Sequence, residues 1–131
     1  MRTAAKLTTI VLTIFLISVG MRSLTHRETL YQGPLLTYSD SVKAVIDAKC
    51  YNCHSLQGRS EEAKEHLLWD SLPVLSLAKQ IHALDKIVDV INDGSMPPKM
   101  MVSRNPDAAL TEAQSKLLRT WAETTADNLL K

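Results

Sequence analysis

Two cysteines three positions apart, with a histidine directly after the second, stand at Cys50-Tyr51-Asn52-Cys53-His54. Side chains at i and i+3 on a helical turn share one face. Two thiols so placed are close enough to bond both vinyl groups of one porphyrin as thioethers. The imidazole that follows can then turn beneath the ring and bind iron from one side. This is the attachment spacing of c-type haem. Other uses of a cysteine pair fit less well. Structural zinc wants about four ligands, and the chain has only two cysteines. A thioredoxin-like redox pair wants a βαβ frame, and no alternating strand pattern is present. A disulfide across two residues would constrain little chain, but it is the fallback if no haem is bound.

An iron held by His54 on one side needs a second ligand on the other. Met96 lies 42 positions further on, in Gly94-Ser95-Met96-Pro97-Pro98. A methionine beside prolines in an irregular loop is a poor core filler, and it is well suited to holding a soft thioether sulfur at the open face of the metal. Met96 is therefore the expected distal ligand, so His54 and Met96 form the expected iron ligand set. Met100 and Met101 are substitutes whose ordinary role is packing. His66 and His82 would permit bis-His ligation, but each sits among charged helical residues and reads as exposed surface. His26 is assigned no role. Met/His ligation raises the reduction potential and fills both axial sites, leaving no vacancy for oxygen or peroxide. That chemistry points to an electron carrier and away from an enzyme.

The elements that must position these residues read as helices. Ser39 or Asp40 can cap a helix with Val42, Val45 and Ile46 on its apolar face, running into Lys49 and Cys50. A loop follows through Gly58. Ser60, with Glu61 and Glu62 in the first turn, starts a second helix expected to run through Leu67, Leu68 and Trp69 until Pro73 stops it. Ala78, Ile81, Leu84, Ile87, Val88 and Ile91 mark a third, with Gly94 at its C-terminal end. Residues 95–110 contain Pro97, Pro98 and Pro106 and are expected to be irregular. Thr111 and Gln114 form a capping box for a last helix carrying Leu117, Leu118, Trp121 and Ala122. The expected fold class is all-α.

Upstream of these helices, Leu7 to Met21 is an apolar run with Arg2 and Lys6 before it and Arg22 and Arg27 after it. Positive charge at the start keeps the N-terminus in the cytoplasm and sends the rest across the membrane. The run is short against the roughly 20 residues of a usual span, and Ser18-Val19-Gly20 suits signal cleavage, which would leave a soluble periplasmic protein. Arg22 would follow directly after that cut, and flanking Arg and Lys can snorkel to offset a short span. A retained anchor is the favoured reading. The expected organisation is residues 1–22 as signal or anchor helix, 23–38 as tether and 39–131 as the haem domain, held at the periplasmic face.

Composition narrows the partners. Net charge is +1, and three of the 15 Lys/Arg but none of the 14 acids precede Ser23, leaving −2 for the remainder. The signs are interspersed with no basic block, so nucleic acid is not an expected partner. Lys79, Lys86 and Lys99 lie among as many acids and read as a solvated face. The expected partners are a redox protein or a membrane electron-transfer complex, with no small-molecule substrate.

From about Ser39 to Leu130 the chain resembles class I cytochromes c, and more closely the small bacterial haem-binding domain family. The residues that carry the resemblance are Lys49 to Ser55 around the motif, Gly94-Ser95-Met96-Pro97, Leu110-Thr111-Glu112, and Trp121 on the last helix. The resemblance implies that the first and last helices pack together beside one covalent haem c. It further implies Cys50 and Cys53 as thioether positions, His54 as proximal ligand and Met96 as distal ligand. Such proteins often carry an aromatic-rich stretch soon after the motif. Leu56 to Leu72 supplies only Trp69, so aliphatic side chains are expected to line the haem pocket on that side. The proximal histidine ordinarily donates its second ring N–H to a backbone carbonyl, for which the Pro73 segment is the candidate. A gas or redox sensor with a labile Met96 is the alternative function, and a small peroxidase using His66 or His82 is a weaker third.

Overall fold

The computed structural model describes residues 36–131. The apolar run at Leu7–Met21 and the expected tether up to residue 35 lie outside the described residues. Among those described, no helix is long and apolar enough to cross a membrane, and all regular structure is helical.

Helix α1, Asp40–Lys49, starts where a hydroxyl can cap it: the Val42 N–H donates to Ser39 Oγ at 3.4 Å. A cap of this kind is worth about 1 kcal/mol. Its Val42, Val45 and Ile46 are buried. Cys50 ends α1, and a single further turn, α2, runs Tyr51–His54. Helix α3, Glu61–His66, is capped by Ser60 Oγ, which accepts from Ala63 N–H at 3.1 Å. It stops short of the Leu67–Trp69 end expected from the sequence. Leu67 is already extended (φ −154°, ψ 131°), because the chain here turns toward the Cys50–His54 motif, where Leu67 and Trp69 bond His54. A short 3-10 turn follows at Leu72–Val74.

Helix α4, Leu77–Asn92, is the expected amphipathic helix, and Gly94 follows its end with φ 68°, a left-handed value that favours glycine. The segment after it is more regular than the prolines suggest. Pro98 leads into α5, Lys99–Arg104, whose Met101 and Val102 N–H groups donate to Pro98 O, and a 3-10 turn follows at Pro106–Ala108. Proline tolerates a helix start because its missing N–H has no partner there in any case. Helix α6, Glu112–Leu129, opens with the full capping box: Gln114 N–H donates to Thr111 Oγ1 at 3.2 Å, and Thr111 N–H donates to Gln114 Oε1 at 3.0 Å.

Helices α4 and α6 form the main interhelical interface, and α1 also packs on α6. One core joins Val42, Val45 and Ile46 of α1 to Leu84 and Ile87 of α4 and Leu118, Ala122, Ala126 and Leu129 of α6. Leu36, Trp69 and Leu72 add to it from connecting segments. Leu72, Leu84 and Leu118 are fully buried, each burial contributing about 1.5–3 kcal/mol. Leu36 belongs to this core although it lies in the stretch read as tether.

Candidate haem site

Cys50 lies at the junction of α1 and α2. Its N–H closes α1 on Ile46 O at 2.9 Å, and its own carbonyl accepts from Cys53 N–H and His54 N–H at 3.1 and 3.0 Å. Both thiols are free and half-buried. Burial, with the Cys53 thiol adding, pushes the Cys50 thiol up to about 12, so it stays protonated at neutral pH. Tyr51 and Asn52, between the cysteines, face solvent.

His54 Nδ1 lies 3.0 Å from Leu67 O. A carbonyl only accepts, so Nδ1 is the donor in this contact, which leaves Nε2 as the nitrogen that could ligate a metal. This corrects the expected partner. Pro73 O instead accepts from the buried Gln80 Nε2 at 3.0 Å, which also reaches Leu75 O at 2.9 Å. The Leu67–Asp70 segment forms a strap across the motif. Besides the Leu67 contact, Trp69 N–H donates to His54 O at 3.0 Å, and Asp70 accepts from Leu56 N–H at 2.8 Å and from the Tyr51 hydroxyl. These two bonds hold the Asp70 carboxyl below the ordinary range. Gly58 sits under the same turn, where a Cβ would come within 2.3 Å of Cys53 O and 2.9 Å of Ser55 O.

The aromatic side chains that Leu56 to Leu72 lacks come from the two ends of the domain. Tyr38 and Trp121 pack on Trp69 with ring centroids 6.0 and 6.1 Å from it, and lie 5.4 Å from each other. The Tyr38 hydroxyl donates to Trp69 O at 3.0 Å, and Trp121 Nε1 donates to Thr37 O at 3.1 Å. Trp121 thus packs at the edge of the core, as its place on an apolar helix face suggests. Trp69 is 4% exposed, yet its Nε1 has no acceptor. A buried indole N–H ordinarily finds a partner, and this one belongs to the residue whose backbone bonds His54.

Met96 lies in the segment after α4, 36% exposed, with its N–H donating to Val90 O at 3.1 Å. It lines a cavity of about 430 Å³ with Ile91, Lys99, Val102, Leu110 and Ser115. Cys50, Cys53 and His54 are not among the residues lining that cavity. The Lys49 ammonium, directly before the motif, donates to Asp107 O across 58 positions of sequence. Met100 is more exposed than Met96, and Met101 is half-buried. His66 and His82 are both exposed, as expected. Lys79, Lys86 and Lys99 are exposed as well, and Lys86 pairs with Asp89 at 3.1 Å.

A profile of the haem-binding domain family matches residues 56–124, more than half of the chain. The chain belongs to the haem-binding domain family. Within this haem-binding domain the match takes in the strap, Trp69 and Met96, and it begins two residues beyond His54. No curated protein and no solved structure matches the chain. The side chains present fit a haem: two free thiols one helical turn apart, an imidazole with Nε2 available, a thioether at a cavity, and a buried N–H lacking an acceptor. No group of three or more His, Cys, Asp or Glu placed to hold a bare metal ion occurs among the described residues.

Proposed function

We propose that this chain is a monohaem c-type cytochrome of the class I kind, carrying electrons at the periplasmic face of a membrane and performing no chemistry on a substrate. Haem iron supplies a centre that accepts and returns one electron. In this reading Cys50 and Cys53 would hold the group as thioethers, and His54 Nε2 and the Met96 sulfur would be its iron ligands. Leu67 O orients the imidazole and raises its basicity through the proton on Nδ1. The single observation that carries the reading is the His54–Leu67 contact directly after two free thiols, since it prepares Nε2 as a ligand.

The apolar run Leu7–Met21 would anchor the domain and raise its concentration near a membrane partner, a redox protein or a larger respiratory or photosynthetic complex. With little net charge, association with that partner should depend weakly on added salt. The test is haem staining on a denaturing gel together with a reduced-minus-oxidised spectrum. Haem that survives denaturation, with a thioether–iron band in the ferric form, supports the reading. Absence of covalent haem overturns it and returns the cysteines to a disulfide.

One observation favours a second reading. Met96 lies in an exposed loop and is anchored by a single backbone bond from its own N–H, so a Met–iron bond there would be the more labile one. A gas or redox sensor would exploit that lability. Carbon monoxide binding to the reduced protein at neutral pH would favour the sensor, and failure to bind favours the electron carrier.

A further inference from the structure

Helix α2 is only four residues long. A segment so short has almost no stability of its own, so the geometry of Cys50, Cys53 and His54 must be set from outside the turn. The backbone bonds of Cys50 close one end of it. At the other end, both oxygens of one carboxylate are committed to the motif: Asp70 Oδ1 accepts from the Tyr51 hydroxyl and Oδ2 from Leu56 N–H at 2.8 Å. Tyr51 lies between the two cysteines, and Leu56 follows His54 by two residues, so Asp70 brackets the motif from both flanks. Among the described residues Asp70 forms no ion pair with a lysine or arginine. An exposed aspartate ordinarily spends its oxygens on water or on such an ion pair.

We infer that Asp70, through Tyr51 and Leu56, is a positioning residue that sets the two thiols in register so that both attach to one haem. This rests on the covalent-haem reading above. Each attachment adds a thiol S–H across a vinyl double bond: a C–S bond forms, the S–H bond breaks, and the proton ends on the outer vinyl carbon, with no leaving group and no net oxidation. Once one sulfur is bonded, success at the second depends on where the other thiol is held. Preorganisation of that kind governs the rate of an intramolecular step.

The test uses the full chain produced with covalent haem maturation, as wild type, Asp70→Asn, Tyr51→Phe and, as a control on an exposed acid of α6, Glu123→Gln. Two quantities are read: the number of thioethers per haem, from the pyridine–haem spectrum of the denatured protein, and the thermal midpoint. Wild type and Glu123→Gln are expected to carry doubly attached haem. Asp70→Asn and Tyr51→Phe are expected to raise the singly attached fraction several-fold. Tyr51→Phe removes only a hydroxyl, so it retains the test if Asp70→Asn fails to fold. A lowered midpoint with wild-type attachment in both variants would reduce Asp70 to a stabilising contact and overturn the inference while leaving the covalent-haem reading intact. A wild-type chain with no covalent haem would overturn both.

Discussion

The segments that carry the two candidate ligands, His54 and Met96, are built differently. On the motif side, Cys50 to Ser55 is held by backbone bonds from α1, by the strap Leu67–Asp70 and by the close fit of Gly58. On the methionine side, Met96 follows a glycine turn in a partly exposed loop and is fixed through its N–H to Val90 O. The contrast separates two tasks. The fold itself prepares the imidazole and the thiols, whereas the position of the thioether depends on a surface loop and on the group it would bind.

The harshest way to break this contrast is to remove both thiols of the proposed covalent link. Cys50→Ala with Cys53→Ala should abolish haem that survives denaturation, as read by haem staining, because nothing on the methionine side can replace it. Gly58→Ala attacks the motif side without touching a ligand. Its Cβ would collide with backbone oxygens that cannot swing away, and it should cost about 3 kcal/mol, visible as a lowered urea midpoint and a reduced yield of holoprotein. Met96→Ala should leave haem attached but lower the reduction potential, with loss of the thioether–iron band, while Met100→Ala should leave attachment, potential and band unchanged. If Met100→Ala removes the band, the ligand lies in the first turn of α5 instead. Thr111→Ala should cost only about 1 kcal/mol through the lost cap, with attachment unchanged.

The smallest effect is a pH dependence confined to the strap. The Asp70 carboxyl is lowered from 3.8 by the Tyr51 hydroxyl first and the Leu56 N–H second. A lowered carboxyl stabilises the folded state fully above its ordinary value, and that contribution is lost as pH falls through the lowered one. The urea-midpoint difference between wild type and Asp70→Asn should therefore be constant near neutrality and shrink only below pH 3.8. A difference that shrinks near neutral pH would assign the effect to another group.

What could be read from the sequence follows the range of the forces involved. Ser39, Ser60 and the Thr111–Gln114 box cap their helices as expected because a cap is a contact over three residues. The Val42–Val45–Ile46 face and the Gly94 turn are equally local. The strap is not. Choosing Leu67 O over a carbonyl near Pro73 as the partner of His54 requires knowing where α3 ends, and α3 ends early because Leu67 and Trp69 bond the motif. Asp70 carries no sequence signal beyond lying 14 positions from Leu56, and the gathering of Tyr38 and Trp121 around Trp69 spans most of the domain. The short helix α5 went unread because three prolines nearby suggested a loop, although Pro98 starts it.

The aromatic cluster has an optical consequence. Both tryptophans of the chain belong to it, 6.1 Å apart, and Trp69 is bonded through its backbone to His54. A porphyrin ligated by that histidine would accept excitation energy from both indoles, so the ultraviolet emission of the protein should be bright without haem and nearly dark with it. Occupancy could then be followed in real time, with no label, by fluorescence alone.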